Sequence, residues 1–410
     1  MKQKINRALV AKKKAILTIA SAFCFAAATM AADPVLNPII TAMPSLSIAP
    51  DARAAGMGDV GVATTADLNS LYWNAAKFAY MDSHGGITAN YTPWLRKLVG
   101  EIDLAHLEGY YKWDDVQGIA GSFTYFSMGA VQLTDMSGTV LQEAHPNEWA
   151  LDVSYYRKLH EYVSMAVALR FMYSDLNNGI NSSVSNSAQE MHAAWTMAAD
   201  VDLYYRQPID IKMGTSYFAL GFTLTNLGGK MTYDDVTKNF IPATMRIGAS
   251  YELPFDNYNK LTFNLQCDKL LVPSRKSKFA ANFDPDDQST WQMTQDEYSD
   301  MTSVSGIFKS FADAPRGAKE EFEEVRWGAG LEYTYNRQFF ARAGYSYENK
   351  YKGNRQYITV GAGFHLSIFS LDFAYCIGLA ASNPLDQTMR FTLGFDLAGI
   401  KDLVNNRKEQ

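Results

Sequence analysis

The stretch 162–174 reads Tyr-Val-Ser-Met-Ala-Val-Ala-Leu-Arg-Phe-Met-Tyr-Ser and alternates between two kinds of side chain. One set is large and apolar: Val163, Met165, Val167, Leu169, Phe171 and Tyr173. The other set is mostly small or polar: Ser164, Ala166, Ala168, Arg170, Met172 and Ser174. A period of two residues is typical of a β-strand, whose successive side chains point to opposite faces. The stretches 325–336 and 388–397 alternate in the same way, so the sequence predicts an all-β fold.

Candidate strands of this kind recur along the chain from about residue 86. Strands of globular proteins average about 5–6 residues, whereas a strand that crosses an outer membrane needs about 9–11. Most of the candidates reach or exceed the longer value, which favours a membrane-spanning barrel. Fourteen of them can be placed, at 86–92, 101–111, 118–132, 148–157, 162–174, 191–206, 211–226, 241–253, 260–270, 325–335, 338–348, 355–366, 371–379 and 387–397.

The lengths of the connections between these candidates mostly alternate between long and short, and the longest connection is 271–324. Outer-membrane barrels have this asymmetry, with tight periplasmic turns and longer external loops. An even number of strands also leaves both ends of the barrel in the periplasm. We therefore predict a transmembrane antiparallel β-barrel of about 14 strands over residues 86–398.

Charged residues of the candidate strands fall on the small or polar face. They include Arg170, Asp200, Arg246, Glu252, Arg326 and Arg390. An arginine that faces lipid at mid-depth costs about 2–4 kcal/mol, so this face is expected to line the lumen, where opposite charges pair and serve a structural role. Periodicity alone leaves open a soluble barrel with an apolar interior and its charges outward.

The chain begins with the pattern of an export signal. Lys12–Lys14 precede the apolar run 15–28, and small residues follow up to Ala32. This run is too short for a permanent membrane helix, which needs about 20 residues. We predict a signal peptide over 1–32, cleaved between about 28 and 32, with a membrane anchor as the alternative. Together with the barrel, this signal predicts a location in the outer membrane.

The segments on either side of the barrel carry no regular alternation. Residues 33–85 are rich in Ala, Gly and Asp, and are expected to lie on the periplasmic side or to fold into the lumen as a plug. Residues 399–410 are expected to form a periplasmic tail. The chain thus divides into a signal peptide, an N-terminal plug, a barrel and a short tail.

Charge and composition exclude several classes of function. The net charge is −6, and without residues 1–32 the basic residues fall from 37 to 31 against 43 acidic ones. A chain this acidic lacks the basic footprint of a nucleic-acid-binding protein. Cys267 and Cys376 do not make a disulfide framework, and the six histidines have no metal-site spacing. We expect no metal and no cofactor.

The sequence contains no convincing enzyme motif. Gly56, Gly58 and Gly61 match the spacing of a dinucleotide-binding loop, but no apolar strand precedes them and no βαβ unit follows. Tight backbone turns in a plug account for them better. We therefore predict a protein that is not an enzyme. An outer-membrane enzyme such as a lipid-A deacylase is the alternative, and it would need a nucleophile with a base in reach.

The connection 271–324 mixes charged and apolar residues, and a connection of this length is usually functional or mobile. We predict that it docks to a protein partner through exposed side chains. The candidates are Trp291, Tyr298, Phe308, Phe311 and Arg316, with Met293 and Ile307 among the apolar groups. A disordered lid is the alternative. Its acidic residues Asp284, Asp286, Asp287, Asp296, Glu297 and Asp300 favour a solvated acidic loop over a calcium site.

Several separate blocks of the sequence resemble the PorV family of outer-membrane components of the type IX secretion system of Bacteroidetes. They are 49–63, Tyr72-Trp73-Asn74-Ala75-Ala76-Lys77, 91–95, 310–317, Gly344-Tyr345, 352–355 and 384–391. The resemblance implies a FadL-like barrel of 14 strands with an N-terminal plug. In that plug it implies a family motif formed by Asp51, Arg53, Gly56, Gly58, Gly61, Trp73 and Asn74. The wider group has Asn-Pro-Ala where this chain has Asn74-Ala75-Ala76, and loss of the proline is expected to loosen that turn.

The same resemblance implies a function without bond chemistry. Such proteins bind the C-terminal signal domain of secreted cargo as it leaves the translocon barrel. They deliver it to a cell-surface sortase, which attaches the cargo to lipopolysaccharide. The loops 271–324 and 175–190 are expected to face these partners. The alternative is a FadL-type transporter of hydrophobic small molecules, which needs an apolar pocket in the barrel and a lateral opening; Gly361 and Gly363 could kink a strand for that purpose.

Overall fold

A computed structural model describes residues 35–397, except 97–99, 135, 136, 138, 179–191, 235, 367, 380–382 and 384. The predicted signal peptide and the predicted periplasmic tail lie outside the described residues. Most of the loop 175–190 does as well. These three assignments stay predictions.

Fourteen antiparallel strands form a closed barrel in which each strand pairs with its neighbours in sequence and the last pairs with the first. The predicted all-β barrel is therefore confirmed, strand number included. The strands are β1 Gly85–Pro93, β2 Asp103–Lys112, β3 Gln117–Ser127, β4 Asn147–His160, β5 Val163–Asp175, β6 Ala194–Ile211, β7 Gly214–Gly228, β8 Thr244–Pro254, β9 Asn259–Leu270, β10 Arg326–Tyr335, β11 Phe339–Tyr347, β12 Tyr357–His365, β13 Phe369–Gly378 and β14 Met389–Asp396.

The connections differ between the two ends of the barrel. Turns of two to four residues close one end, at 113–116, 161–162, 212–213, 255–258, 336–338 and 366–368. Longer connections close the other end, and two of them carry small hairpins, Val131–Thr134 with Val140–Ala144 and Met231–Thr232 with Lys238–Asn239. By the asymmetry of outer-membrane barrels, we expect the end with the long connections to be external, and we call it the external end.

The two faces of each strand differ as the alternation predicts. In β5, Val167 and Leu169 point outward and are 45% and 72% exposed, whereas Ala168 and Arg170 point inward and are buried. The outer surface is therefore apolar and the lumen is polar. This arrangement excludes the alternative of a soluble barrel with an apolar interior.

The N-terminal segment fills the lumen. At the external end, Asn37 N–H donates to Tyr351 O (2.9 Å) and Ala42 N–H donates to Phe240 O (2.8 Å). From there the chain runs to β1 at the opposite end, so it passes through the barrel from the outside inward. On the way it forms a 3₁₀ turn Pro44–Ser47, helix α1 Ala52–Ala55, helix α2 Ser70–Asn74 and a 3₁₀ helix Ala75–Tyr80.

The main chain of this plug lies directly on the barrel wall. A Cβ atom built on Gly344 of β11 would lie 2.1 Å from the backbone nitrogen of Gly58, and one on Gly221 of β7 would lie 2.2 Å from Val62 O. Real Cβ atoms do not approach other atoms this closely, so the wall has room for the plug only because it carries glycine at these positions.

The external connection 271–325 is folded. Helix α3 (Gln295–Asp300) begins with a capping box formed by Thr294 and Glu297, and the Thr302 hydroxyl caps helix α4 (Ser303–Lys309). A 3₁₀ turn Gln288–Thr290 precedes them, and helix α5 Ala318–Glu323 follows. Among the described residues no helix is long and apolar enough to cross a membrane.

Substitution of Gly344 by alanine should destabilise the folded protein, because the added methyl group meets plug backbone that has no room to move. Overpacking of this kind costs about 1–3 kcal/mol of unfolding free energy. Denaturant unfolding in detergent, followed by tryptophan fluorescence, measures it. Gly100→Ala is the control, since nothing lies within 4 Å of the place that its added methyl group would take; equal stability of both variants would contradict the close contact.

Candidate functional site

The plug motif begins with Asp51, which joins two helices of the plug. One carboxylate oxygen caps α1 by accepting from Ala54 N–H (2.8 Å), and the other accepts from the indole N–H of Trp73 (2.7 Å). Asp51 and Trp73 are both buried. This predicted motif pair therefore fixes α1 against α2.

Arg53 ties the plug to the barrel wall. Its guanidinium donates to both carboxylate oxygens of Glu332 in β10 (3.0 and 2.8 Å) and to Asp67 of the plug (2.7 Å). Glu332 also accepts from Arg342 in β11 (2.7 Å), which in turn donates to Asp372 in β13 (2.6 Å). A continuous chain of alternating charges thus connects the plug with three strands of the wall, β10, β11 and β13.

The three motif glycines serve close packing. Gly58 has φ +78°, and a Cβ there would lie 2.7 Å from Tyr345 O of the wall; a Cβ on Gly61 would lie 2.2 Å from the Trp73 ring. A Cβ on Gly56 would lie 3.1 Å from the Cα of Gly361. The described fold around them is an antiparallel barrel, so the βαβ context of a dinucleotide site is absent from it.

Asn74 and Ala75 correct the expectation of a loosened turn. The Asn74 amide donates to Val62 O (3.2 Å) and Leu203 O (2.9 Å). Ala75 has φ −63°, which lies within the range of proline, and its N–H donates to the Asp202 carboxylate (2.9 Å). The turn is held as a proline would hold it, and alanine supplies a hydrogen-bond donor that proline lacks.

The predicted lumen charges all lie on the inner face, and five of the six form ion pairs. Their partners are Asp152 and Asp200 for Arg170, Lys260 and Arg206 for Glu252, Asp268 and Asp59 for Arg326, and Asp59 for Arg390. Arg246 instead lies over the rings of Tyr72 (5.4 Å) and Trp73 (5.7 Å). The plug therefore supplies partners for several wall charges.

One array that sequence reasoning missed has the residue types of a nucleophilic triad. Thr124 Oγ1 lies 2.8 Å from His106 Nδ1, and His106 Nε2 lies 3.1 Å from Glu108. His106 and Glu108 are buried, and Glu108 also accepts from Leu71 N–H of the plug (2.6 Å). The adjoining cavity has a volume of about 10 Å³. That volume holds a single water molecule, so in this conformation no substrate has room beside Thr124.

The external loop differs from its prediction at four residues. Trp291 and Tyr298, predicted to be exposed, are 2% and 1% exposed. Tyr298 packs in a cluster with Val272, Met293 and Phe240, the last from another external connection, and the Trp291 ring lies beside Phe283. The Trp291 indole donates to Asp284 O (2.8 Å) and the Tyr298 hydroxyl to Pro273 O (3.3 Å). Arg316 is also buried, paired with Glu320 and Glu323. The prediction that these three are exposed contacts for a partner is wrong, and Met293 is buried with them.

Two of the loop residues that the sequence predicted as partner contacts are exposed. A third exposed apolar residue lies beside them and was not predicted. Phe308 is 73% exposed and Phe311 47%. Val304, four residues before Phe308 on α4, is 64% exposed. Residues four apart share one side of a helix, so this spacing was the available signal. We refer to Val304, Phe308 and Phe311 as the apolar face.

The acidic residues of the loop fall into two groups with different roles. In the stretch 284–300, the side chains of Asp284, Asp287 and Glu297 serve local turns and caps; Asp284, for example, accepts from Asp286 N–H (3.0 Å). Asp313, Glu321 and Glu324 instead converge in space, because the chain turns back between Asp313 and the helix α5; their spacing along the sequence matches no known metal motif. Burial and the neighbouring charge of Glu324 raise the pKa of Asp313 to about 7.

Replacement of Arg53 by methionine should lower the free energy of unfolding by about 3–5 kcal/mol, because it leaves the buried Glu332 and the partly buried Asp67 without their shared cation. Denaturant unfolding in detergent measures the loss. The control is Arg96→Met, whose pair with Asp103 is long (3.9 Å) and whose side chain is 55% exposed. Loss of that pair should cost no more than about 1 kcal/mol, and similar losses in both variants would contradict the role of Arg53.

Restoring the proline of the wider group, by Ala75→Pro, should destabilise this chain by about 1–3 kcal/mol, because the buried Asp202 carboxylate loses its donor. The same substitution in an Asp202→Ala background should cost little, since the partner is already gone. Unfolding free energies of the wild type, both single variants and the double variant test this. If Ala75→Pro lowered the unfolding free energy equally in both backgrounds, the hydrogen bond between Ala75 N–H and Asp202 would contribute nothing to stability.

Comparison with solved structures finds similar chains at low sequence identity. The Pseudomonas putida toluene transporter TodX is 9% identical, with 88% of this chain and 98% of that chain covered and a TM-score of 0.49. A FadL homologue from Pseudomonas aeruginosa is 12% identical, with 88% and 99% covered and a TM-score of 0.40. Curated proteins give no sequence match.

A family model, described as the type IX secretion system protein PorV, matches residues 31–277. The match covers more than half of the 410 residues. It includes the plug motif and the first nine barrel strands. The chain therefore belongs to the PorV family and is an outer-membrane component of the type IX secretion system.

Proposed function

We propose that this protein binds the C-terminal signal domain of cargo as it emerges from the type IX translocon, and that it delivers the cargo to the cell-surface sortase. The observation that carries the proposal is the apolar face of Val304, Phe308 and Phe311 at the external end of the barrel. Large exposed apolar groups in one place on a folded surface are typical of a binding site for another protein.

The filled lumen supports a function at the outer surface. Plug residues such as Trp73 and Lys77 are buried within the barrel, and Lys77 Nζ donates to plug oxygens at Gly61 (2.8 Å) and Thr64 (3.1 Å). The described plug leaves no wide passage through which a folded or unfolded chain could move. Cargo would therefore meet this protein outside the membrane, after crossing elsewhere.

The surroundings of the apolar face favour a partner with acidic groups beside an apolar surface. Lys309 follows Phe308 directly, and its ammonium lies over the ring of Phe279 (5.0 Å). Lys278 lies near the same ring (5.6 Å). Cations at the rim of an apolar contact steer partners of opposite charge and fix their orientation.

The wider set of partners belongs to the same proposal. We propose contacts with the type IX translocon barrel, with the cell-surface sortase, with cargo C-terminal signal domains, and with outer-membrane lipid or lipopolysaccharide around the apolar strand faces. A nucleic-acid partner is not proposed. Residues Asp51, Arg53, Gly56, Gly58, Gly61, Trp73 and Asn74 are proposed as the family motif that holds the plug in the barrel.

The transporter alternative receives less support. A cavity of about 250 Å³ lies at the end with short turns. Its lining combines the charged residues Arg53, Asp67, Asp372 and Asp396 with apolar ones such as Phe340, so it is not the apolar pocket that a transporter of hydrophobic molecules needs. The kink in β12 that this alternative could use is not seen, because residues 357–364 pair with β11 and 357–365 pair with β13 without a break at Gly361 or Gly363. Gly361 instead makes room for the plug, and Gly363 for the side chains of Asp372 and Arg342.

Substitution of Phe308 by aspartate should weaken partner binding by about 30-fold or more, because a central apolar contact is worth about 2 kcal/mol or more. The measurement is quantitative mass spectrometry of proteins that copurify with the full chain from outer membranes in mild detergent. The expected partners are a very large barrel, a sortase, and proteins that share one C-terminal domain.

Tyr258→Asp is the matched control, because Tyr258 is an aromatic residue that is 60% exposed in a turn at the opposite end of the barrel. It should leave recovery of the partners unchanged. Equal recovery with both variants would exclude the apolar face as the docking site. Recovery of fatty acids or other apolar ligands without protein partners would support the transporter instead.

A further inference from the structure

Three acidic side chains of the external loop form a compact group apart from the apolar face. One carboxylate oxygen from each of Asp313, Glu321 and Glu324 lies within 4.8 Å of the other two. Oxygens bound to one Ca²⁺ lie about 2.3–2.6 Å from the ion, so two of them can be up to about 5 Å apart. The spacing of the three carboxylates therefore suits a single calcium ion.

Asp313 provides an independent sign that this group takes a ligand. Its side chain is fully buried. One carboxylate oxygen accepts from the Ser274 N–H (2.6 Å) and hydroxyl (2.7 Å), which fixes the orientation of the group. The other oxygen, Oδ1, has no hydrogen-bond partner among the described residues. A buried carboxylate oxygen without a donor or a cation is costly, so its presence here points to a ligand.

The charge balance of the region gives the same indication. Five carboxylates lie together, on Asp313, Glu320, Glu321, Glu323 and Glu324. The three cations paired with them are Lys269, Arg316 and Lys352, and none of their ion pairs involves Asp313. The acidic side chains of this group thus outnumber the cations paired with them, and a divalent cation would reduce the imbalance.

The lysine next to the group does not fill the site. Lys269 Nζ lies 3.1 Å from Glu321 and 2.7 Å from Glu324. A carboxylate offers about four lone-pair positions on its two oxygens, so both glutamates keep acceptor capacity for a metal ion. Because all the candidate ligands are oxygens, the site suits Ca²⁺ rather than Zn²⁺, which prefers nitrogen and sulfur.

We propose that Asp313, Glu321 and Glu324 bind one Ca²⁺ ion and that the ion joins α5 to the segment after α4. Glu324 is already bound to Lys269 at the end of β9 and to Lys352 beyond β11. The ion would thus add to the ties between the external loop and the barrel. This site does not depend on the proposed cargo function, because it rests only on contacts within the chain.

The test is calorimetric titration of CaCl₂ into the full chain, purified in detergent and freed of metal with EGTA. We expect one site per chain in the wild type. Asp313→Asn and Glu321→Gln should each weaken binding by at least about tenfold, since even residues behind the ligands of metal sites have effects of this size. Calcium should also raise the thermal unfolding midpoint of the wild type but not of Asp313→Asn.

Asp286→Asn is the control, because Asp286 is an exposed acidic residue of the same loop. It should leave calcium binding unchanged. The proposal is overturned if the wild type binds no calcium, if Asp313→Asn and Glu321→Gln bind as the wild type does, or if Asp286→Asn abolishes binding. A β-sheet circular dichroism spectrum verifies that each variant is folded, and the half-buried position of Glu321 makes its variant the safer one.

Discussion

The ion pair between Arg53 and Glu332 is the contact on which the arrangement of plug and barrel depends. A single guanidinium compensates a wall carboxylate and the plug carboxylate of Asp67, while Arg342 compensates Glu332 from the other side. Without the plug, Glu332 would keep one cation and the lumen would be left with charges that only water could satisfy. Buried charges are stable only when paired, so the polar wall and the plug require each other.

Glycine makes that electrostatic contact possible. The motif residues of the plug approach the wall where the wall itself has no side chain, as at Gly344 and Gly221. Close approach of two backbones brings Arg53 within reach of Glu332. The glycine spacing that resembles a dinucleotide loop is thus a packing feature. An open pore would have side chains and water in the lumen, where this chain places the backbone of the plug. Because the lumen is occupied, we propose that partners bind at the outer surface.

The alternation of apolar and polar side chains along each strand could be predicted from the sequence because the membrane imposes it. Lipid penalises a charge on the outer face, so Arg170 had to point inward whatever the details of the fold. The external loop carries no such constraint. Trp291 and Phe308 are both large and apolar, and only the packing of the whole loop decides that the first is buried and the second exposed. The grouping of Asp313 with Glu321 and Glu324 likewise depends on tertiary structure.

Polar contacts connect the start of the plug with the external loop. The Asn37 amide donates to Lys276 O (2.9 Å) and to Glu320 (3.4 Å), and Glu320 is also paired with Lys352 (2.6 Å) and with Arg316. The segment that fills the lumen therefore also holds the helix α5 at the outer end. Because plug, barrel and loop share these contacts, the position of the apolar face is set by the whole molecule. A rigid platform of this kind loses little conformational entropy of its own when a partner binds, which is a physical reason why a barrel with a filled lumen suits the proposed docking function.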